Sequence, residues 1–440
     1  MTSWPVDPPS SLWRLLSREV FSAPALRQEI RADIVVVGGG IAGLATAVEL
    51  RDRGHDVVVL EAAHIGHGAS GRANGQVISA LTRHGPDALR ALWPGKRGDR
   101  FIALVAGSAD RLYGLIERYA IDCDARRNGW LQPAHTEGRA RRVAALAAQW
   151  AEAGAPAAAV DAATMSARVG TDAYCGGWEH RGGGHINPYA FTLGLARGAA
   201  ADGVRIFETS PALRLTRQGD LWQVETPAGR VLAGKVALAT AAHSGDLWPD
   251  FRRSLVPVTS YQAATPPLGA FADTILPGDE AASDTRMDLR YFRKDREGRL
   301  VSGGALALQL AAHRRVSTLV AGRLAKIFPG LPRRPMGHVW SGRIAMTTDR
   351  LPHLHRRADG LVAWAGCNGR GLALACAMAD VMADALEGVP DEALALRPSP
   401  PSPLPLHGLV ARCARLILPW YRWKDAREIP FPPETMKRTP

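Results

Sequence analysis

Residues 33–44, Asp-Ile-Val-Val-Val-Gly-Gly-Gly-Ile-Ala-Gly-Leu, decide the fold. Ile34 to Val37 are four apolar residues in a row, which reads as a strand buried on both faces. Gly38, Gly40 and Gly43 follow at G-x-G-x-x-G spacing, and Leu44 to Arg53 continues as a helix. Gly38 permits the tight turn, Gly40 lets a pyrophosphate approach the backbone, and Gly43 lets helix and strand pack closely. N–H groups at the helix start, near Ile41 and Ala42, then face the phosphates. Gly54 ends the helix and Asp56 to Leu60 forms a second strand. Glu61 arrives 21 residues after Gly40, where a carboxylate can accept hydrogen bonds from ribose hydroxyls, with Ala62 beside it.

Strand, glycines, helix, strand and acid together specify an adenine-dinucleotide site on a Rossmann-type unit. Glu61 disfavours NADP, whose 2′-phosphate it would repel. Downstream, Gly66-His-Gly-Ala-Ser-Gly-Arg-Ala-Asn-Gly-Gln-Val77 is small and polar. It can run beside a long cofactor, offering Ala69, Ser70, Gly71, Arg72, Gly75 and Gln76 as contacts. An NAD domain does not require this segment, so FAD is the expected cofactor.

Working outward, 440 residues exceed one ordinary domain, and two intertwined domains are expected. Residues 1–29 form an extension with one short helical stretch. The FAD-binding domain is expected over 30–100, 170–254 and 336–390, and a substrate or cap domain over 101–169 and 255–335. Within the first, Asn187-Pro188 opens a helix running to about Ala201. Ala212 and Ala239 lie by strands that return to the nucleotide, and Leu361 to Gly366 repeats the strand-then-glycine pattern before an alanine-rich helix ending near Gly388. Helical stretches at Phe101 to Tyr119 and Glu137 to Ala153 belong to the second domain. The expected class is α/β: a Rossmann-type FAD domain with an interleaved, mostly antiparallel substrate sheet, as in the glutathione-reductase-like FAD folds. Residues 391–440 are a proline-rich linker and a basic, aromatic tail.

With these residues in view, the chain resembles the D-amino acid oxidase family of FAD oxidoreductases, closest to its gamma-glutamylputrescine oxidase branch, over roughly residues 30–390. Ala69-Ser-Gly-Arg72 with Gly75-Gln76 is similar to that branch's Ala-Ser-Gly-Arg-Asn-Gly-Gly-Gln signature, from which Ala73 and Asn74 depart. Similar blocks follow in order: Tyr119 to Cys123, Gly184 to Pro188, Arg290 to Arg293 with Gly298 to Gly304, and Trp340-Ser-Gly342 with Asp349 to Pro352. Gly366-Cys-Asn-Gly-Arg-Gly371 resembles the family's second flavin loop, which implies contacts from Gly342, Asn368, Gly369, Arg370, Gly371 and Leu372. A helix dipole there suits anionic reduced flavin. Some relatives attach FAD through a histidine at the position of Gly68. Here His67 is one residue out of register, so non-covalent FAD is expected.

The resemblance implies oxidation of the C–N bond of an amine or amino acid, with electrons passing to O2 or to a quinone or other carrier. Flavin does the hard step, so the absence of a catalytic triad is no objection. For a carboxylated substrate, Arg293 and Arg343 are the expected anchors, Tyr291 covers the ring or bonds the substrate, and Gln76 lies beside the flavin. An NAD-dependent dehydrogenase would share Gly38, Gly40, Gly43 and Glu61 but would not need the Ser70 segment or the Asn368 loop.

Charged residues at 22% and apolar residues at 46% match an ordinary globular protein and exclude a disordered or fibrous one. Five scattered cysteines without a C-x-x-C unit, and no leader-like apolar stretch, place the chain in the cytoplasm. The net charge of +12 comes from scattered arginines with no nucleic-acid signature, so no nucleic-acid partner is expected. His353 and His355 lack further ligands at metal spacing, and no metal is expected. The tail from Leu406 to Lys424 is expected to pack on the catalytic core rather than lie on a membrane.

Overall fold

The computed structural model describes residues 10–332 and 334–428; residues 1–9 of the expected extension and 429–440 of the expected tail lie outside them. Glu29–Val37 is the central strand of an eight-stranded sheet. Val57–Leu60 and Arg205–Phe207 continue the sheet on one side, Arg230–Leu238 and Leu361–Ala365 on the other, all parallel. His353–Arg356 closes one edge antiparallel, and Arg214–Gln218 with Leu221–Glu225 forms an antiparallel ribbon on Arg230–Leu238.

Helices Ile41–Asp52, Pro188–Ala201 and Gly371–Glu387 pack over the face of this sheet that carries Ile34, Val36, Val57 and Val59. Both Pro188–Ala201 and Gly371–Glu387 are apolar nearly all round because neighbours enclose them. Asn187 caps Pro188–Ala201 as its sequence suggests, its side-chain oxygen accepting from Tyr189 and Ala190 N–H at 3.1 Å. Gly388, at φ +84°, stops the last helix in the left-handed conformation that glycine adopts at low cost.

The second sheet also has eight strands, in the order His338–Met346, Val256–Ala264, Leu300–Gly304, Tyr291–Lys294, Ala281–Ser283, Trp130–Pro133, Gly177–His180 and Ala157–Val160. Every neighbouring pair is antiparallel except Ala281–Ser283 beside Trp130–Pro133. Val316, Val320, Leu324 and Ile327 form one stripe of helix Ala312–Ile327 and bury the face that carries Phe292, Leu300, Tyr261 and Ala263. The opposite face looks toward the first domain. The architecture is therefore the α/β pairing of a Rossmann-type sheet with a mostly antiparallel one.

Three details differ from the sequence expectation. Gly177–His180 and His338–Met346, expected in the FAD-binding segments, are strands of the second sheet. The single helix expected over Phe101 to Tyr119 is two, Lys96–Ala106 and Ser108–Arg118. At the break, Ser108 Oγ donates to Val105 O and Ser79 Oγ accepts from Ala109 N–H, two side-chain bonds that compete with the helical ladder. Those helices join the core under the first sheet instead of the second. The short N-terminal helix, Leu12–Leu16, packs Leu12, Trp13 and Leu16 on Ala264, Val301 and Trp340 of the second sheet. Among the described residues no helix is long and apolar enough to cross a membrane.

His180 is buried with neither ring nitrogen hydrogen-bonded among the described residues, and burial pushes its pKa down to about 4. The unfolded chain protonates it near pH 6.5, so between about pH 6.5 and 4 the unfolded state binds the extra proton and stability falls as pH drops. By pH 5 this one ring removes about 2 kcal/mol. Urea denaturation at pH 7 and pH 5 should show that loss shrinking by a comparable amount in His180→Phe; an unchanged difference would exclude His180 as its source.

Candidate cofactor and substrate site

At the carboxyl end of Glu29–Val37 the chain turns through Gly38 at φ +111°. A Cβ on Gly43 would lie 1.9 Å from Gly38 O, which reserves this position for glycine. Ala239, whose N–H donates to Val37 O at 2.9 Å, closes the same corner from the adjacent strand. Gly40 caps helix Ile41–Asp52 without a side chain, and Ser70 Oγ accepts from Ile41 N–H at 3.0 Å. Glu61 accepts from Gly39 N–H at 2.8 Å and from Ala63 N–H at 2.9 Å, which aims the carboxylate across the turn. Burial and nearby Glu208 raise its pKa, while those backbone donors oppose the rise. A carboxylate has about four acceptor positions, so sites remain for ribose hydroxyls. Ala212 sits half-buried against the core on the other face of this sheet.

The segment 66–77 leaves this corner and is held by its carbonyls. Gly71 O accepts from Ser11 Oγ at 2.8 Å, Arg72 O from Trp340 Nε1 at 2.9 Å, Ala73 O from Trp13 Nε1 at 2.7 Å and Asn74 O from Arg293 Nε at 2.8 Å. Trp13 and Trp340 meet edge to face at 5.6 Å, and the Arg293 guanidinium stacks 4.2 Å over Trp13. Gly75 must be glycine, since a Cβ there would lie 2.3 Å from Ile186 O and 2.4 Å from the Arg293 guanidinium.

Strand His338–Met346 joins this loop to the second one. At one end are Trp340, Ser341 O, which accepts from Arg72 Nη1 at 3.4 Å, and Gly342, where a Cβ would come 3.2 Å from Arg72 Cβ. At the other, Thr347 N–H donates to Asn368 Oδ1 at 3.0 Å, and Asn368 Nδ2 donates to Gly366 O at 2.6 Å. Asn368 and Gly369 have positive φ, and they deliver the chain to helix Gly371–Glu387, whose N-cap residue Arg370 supplies no side-chain cap; Leu372 in its first turn is buried. Two helix starts, one at Ile41, whose own N–H is taken by Ser70 Oγ, and one at Gly371, thus turn their positive dipole ends toward positions that suit an extended, partly anionic cofactor.

Pairing of Gln262 with Trp340, Ser260 with Gly342 and Val258 with Ile344 puts these side chains on the face turned toward segment 66–77. On it, Asn74 Nδ2 donates to Gln262 Oε1 at 3.2 Å and Gln262 Nε2 donates to the Tyr291 hydroxyl at 2.9 Å. Gly303 leaves room for that hydroxyl, which a Cβ would meet at 2.3 Å. Burial raises the Tyr291 pKa, so the phenol stays protonated.

The expected site residues divide. Tyr291 lies on the facing wall. Arg293 lies there too, but Nε serves Asn74 O, Nη1 meets His185 and Lys294 O, and Nη2 serves Ile186 O, so no fork remains for a substrate carboxylate. Gln76 is also committed, donating to Ala282 O at 2.9 Å and accepting from Ser283 Oγ at 2.6 Å. Arg343 alternates to the opposite face, where it is exposed near His243, a ring that burial pushes down to about 4 with Arg343, His67 and Arg72 assisting. Arg72 Nε is held by His67 O at 2.7 Å. Arg370 turns away from the loop, donating to Thr82 Oγ1 at 2.6 Å and to Ala80 O at 3.3 Å, 5.5 Å from the Trp130 ring centroid. Sequence reasoning missed Ser11, Trp13 and Gln262, which carry no local motif; Trp340 stood in a quoted block without a role.

Comparison with known proteins follows the same lines. The family model described as DAO, FAD dependent oxidoreductase, matches residues 33–385. A probable oxidoreductase OrdL of Rhizobium meliloti (strain 1021) is 30% identical over 376 residues, covering 84% of this chain and 86% of that protein. The gamma-glutamylputrescine oxidoreductase of Escherichia coli (strain K12) is 29% identical over 374 residues, covering 82% and 85%. Among solved structures, glycine oxidase from Geobacillus kaustophilus superposes with a TM-score of 0.65 at 23% identity over 81% of this chain and 95% of that one, a shared fold.

Arg293→Met should therefore act on the loop rather than on substrate affinity. It strips donors from buried carbonyls of Asn74, Ile186 and Lys294, a loss of about 3 kcal/mol or more in stability. Urea melts and the flavin-to-protein absorbance ratio should both fall, while KM of the loaded fraction stays within about twofold; a rise of orders of magnitude in KM with normal flavin content would restore the anchor role.

Proposed function

This chain belongs to the DAO family of FAD-dependent oxidoreductases, and from that premise we propose that it oxidises the C–N bond of an amine whose negative charge, where it has one, lies away from the reacting carbon. The observation that carries this reading is the uncharged wall formed by Asn74, Gln262, Ser260 and Tyr291 between the two cofactor loops. Once Arg293 is spent on carbonyls, that wall has, among the described residues, no free cation for an α-carboxylate.

FAD, when bound, supplies the acceptor for the hydride that leaves the α-carbon as the nitrogen lone pair forms the imine. Gly38, Gly40, Gly43, Ser70 and Glu61 fit its dinucleotide part, and the start of helix Gly371–Glu387 fits a developing negative charge on the ring. The Tyr291 hydroxyl and the Gln262 amide orient the neutral amine, and Ile344 narrows the space beside Gly369, its Cδ1 standing 3.9 Å from where a Cβ there would be. Water then hydrolyses the released imine to a carbonyl compound, and the electrons pass to O2, forming H2O2. Gly68 at the position where some relatives carry a histidine supports non-covalent FAD.

We read a group of cations around Arg83 as the rim of this site. Arg370 is bonded to Thr82, and the next residue, Arg83, makes no ion pair among the described residues. Burial lowers the Arg83 pKa, and Arg350, Arg142 and Arg139 lower it further, as mutually repelling guanidinium groups do. Such a rim steers a remote carboxylate without touching the reacting carbon.

The deciding experiment is anaerobic bleaching of the flavin with matched pairs: amines, ω-amino acids with a remote carboxylate, and α-amino acids. Bleaching by the first two classes and not the third is expected; bleaching by α-amino acids alone would overturn the reading. Equimolar H2O2 in air marks O2 as acceptor, whereas dye reduction without peroxide marks a quinone or carrier. Acid precipitation should release all the flavin into solution. Arg83→Glu should lower kcat/KM for the remotely carboxylated amine by about tenfold at low salt and leave the uncharged amine unaffected.

A further inference from the structure

The described chain ends in a helical segment, residues 407–428, that holds the protein by one side and leaves the other bare. In its last helix, Leu418–Arg427, the docked residues are Arg422 and Asp425, with Glu428 just beyond. Arg422 donates to Asp288 Oδ2 at 2.6 Å and to Ala305 O at 2.9 Å. Asp425 accepts from the N–H groups of Met287 and Asp288 at 2.8 and 2.9 Å, and Glu428 pairs with Arg139. Nearer the start of the segment, His407 Nε2 meets Leu255 O at 2.8 Å.

Trp420, Trp423, Lys424 and Arg427 recur at i, i+3, i+4 and i+7, which is one helix side, and they face solvent. The two indoles are 45% and 49% exposed, far more than large aromatic side chains usually are. Lys424 Nζ lies 4.2 Å over the Trp420 ring, and the Arg427 guanidinium 3.9 Å over Trp423. Leu409, Leu416 and Ile417 add exposed aliphatic surface in the preceding turns, beside Arg412. The loop after Ala305, joined to this helix through Arg422, adds exposed Leu308 and Leu310. Arg412, Lys424 and Arg427 make no ion pair among the described residues, and the nearest acids of the segment, Asp425 and Glu428, are turned inward.

We propose that this segment is a docking surface for an anionic lipid bilayer. Indoles and aliphatic side chains enter the headgroup–acyl boundary, and the unpaired cations meet lipid phosphates. A second copy of the chain is a poorer occupant, because it would bring like charges together on a protein whose net charge is already +12.

The test uses full-length, flavin-loaded protein floated with vesicles of phosphatidylcholine alone or mixed with phosphatidylglycerol, at low and high salt. Protein should float with the anionic vesicles, less with neutral ones, and less at high salt. Lys424→Glu/Arg427→Glu should cut partitioning into anionic vesicles by at least about tenfold, given roughly fivefold per cation. Trp420→Ser/Trp423→Ser should cut it comparably at both salt concentrations. Unchanged flavin content and turnover of a soluble amine show that both variants are folded. Absence of flotation, equal binding of variants and parent, or a dimer in sedimentation velocity that Trp420→Ser/Trp423→Ser dissociates would each overturn the proposal.

Discussion

Four consecutive carbonyls, those of Gly71, Arg72, Ala73 and Asn74, leave segment 66–77 with no ladder of their own, and each accepts from a side chain brought from elsewhere. A buried carbonyl without a donor costs about as much as a lost hydrogen bond, so the set must be satisfied together or the loop cannot hold one shape. Ser11 and Trp13 come from the N-terminal helix, Arg293 and Trp340 from the second sheet. The site therefore exists only when extension, loop and sheet are assembled. Trp13 and Trp340 meeting edge to face, with the Arg293 guanidinium over Trp13, make that assembly a packing unit as well as a polar one.

The same constraint decides which charges are free for chemistry. Arg293 would be an ideal carboxylate fork by residue type, but it is consumed in holding the loop, while Gln76 is committed to Ala282 O and Ser283 and Arg370 to Thr82 and Ala80 O. The wall of Asn74, Gln262, Ser260 and Tyr291 is uncharged, and the cations without an ion pair among the described residues include Arg83 and, on the outer side of the last helix, Lys424 and Arg427. In the proposed reaction, substrate orientation rests on neutral hydrogen bonds, and charge acts at longer range.

Strand His338–Met346 is the second organising element. It belongs by hydrogen bonding to the second sheet, yet its two ends brace the two cofactor loops. Its residues were grouped by sequence with the FAD-binding segments, and the reason is plain: the blocks Trp340 to Gly342 and Gly366 to Gly371 lie close together in the chain and both resemble flavin-contacting blocks of the family. Nothing in a strand's own composition states which sheet it will join.

The dinucleotide unit was legible because its constraints are local. Gly38, Gly40 and Gly43 are needed by a turn and a close approach within six residues, and Glu61 is placed by one helix and one strand. Asn187 and Gly388 announced helix ends for the same reason, each acting on its own neighbours. The roles of Arg293, Arg343 and Gln262 were not legible. An arginine reads the same whether its five donors meet a substrate or a carbonyl 219 residues distant in the chain, as Arg293 meets Asn74. Strand alternation sent Arg343 to the far face, and only pairing with Val256–Ala264 fixed which face that was. Sequence alone determined the cofactor-binding turn and the family; tertiary structure decided which polar groups are spent on holding the backbone and which stay free, because that depends on donors and acceptors that meet only when distant segments pack.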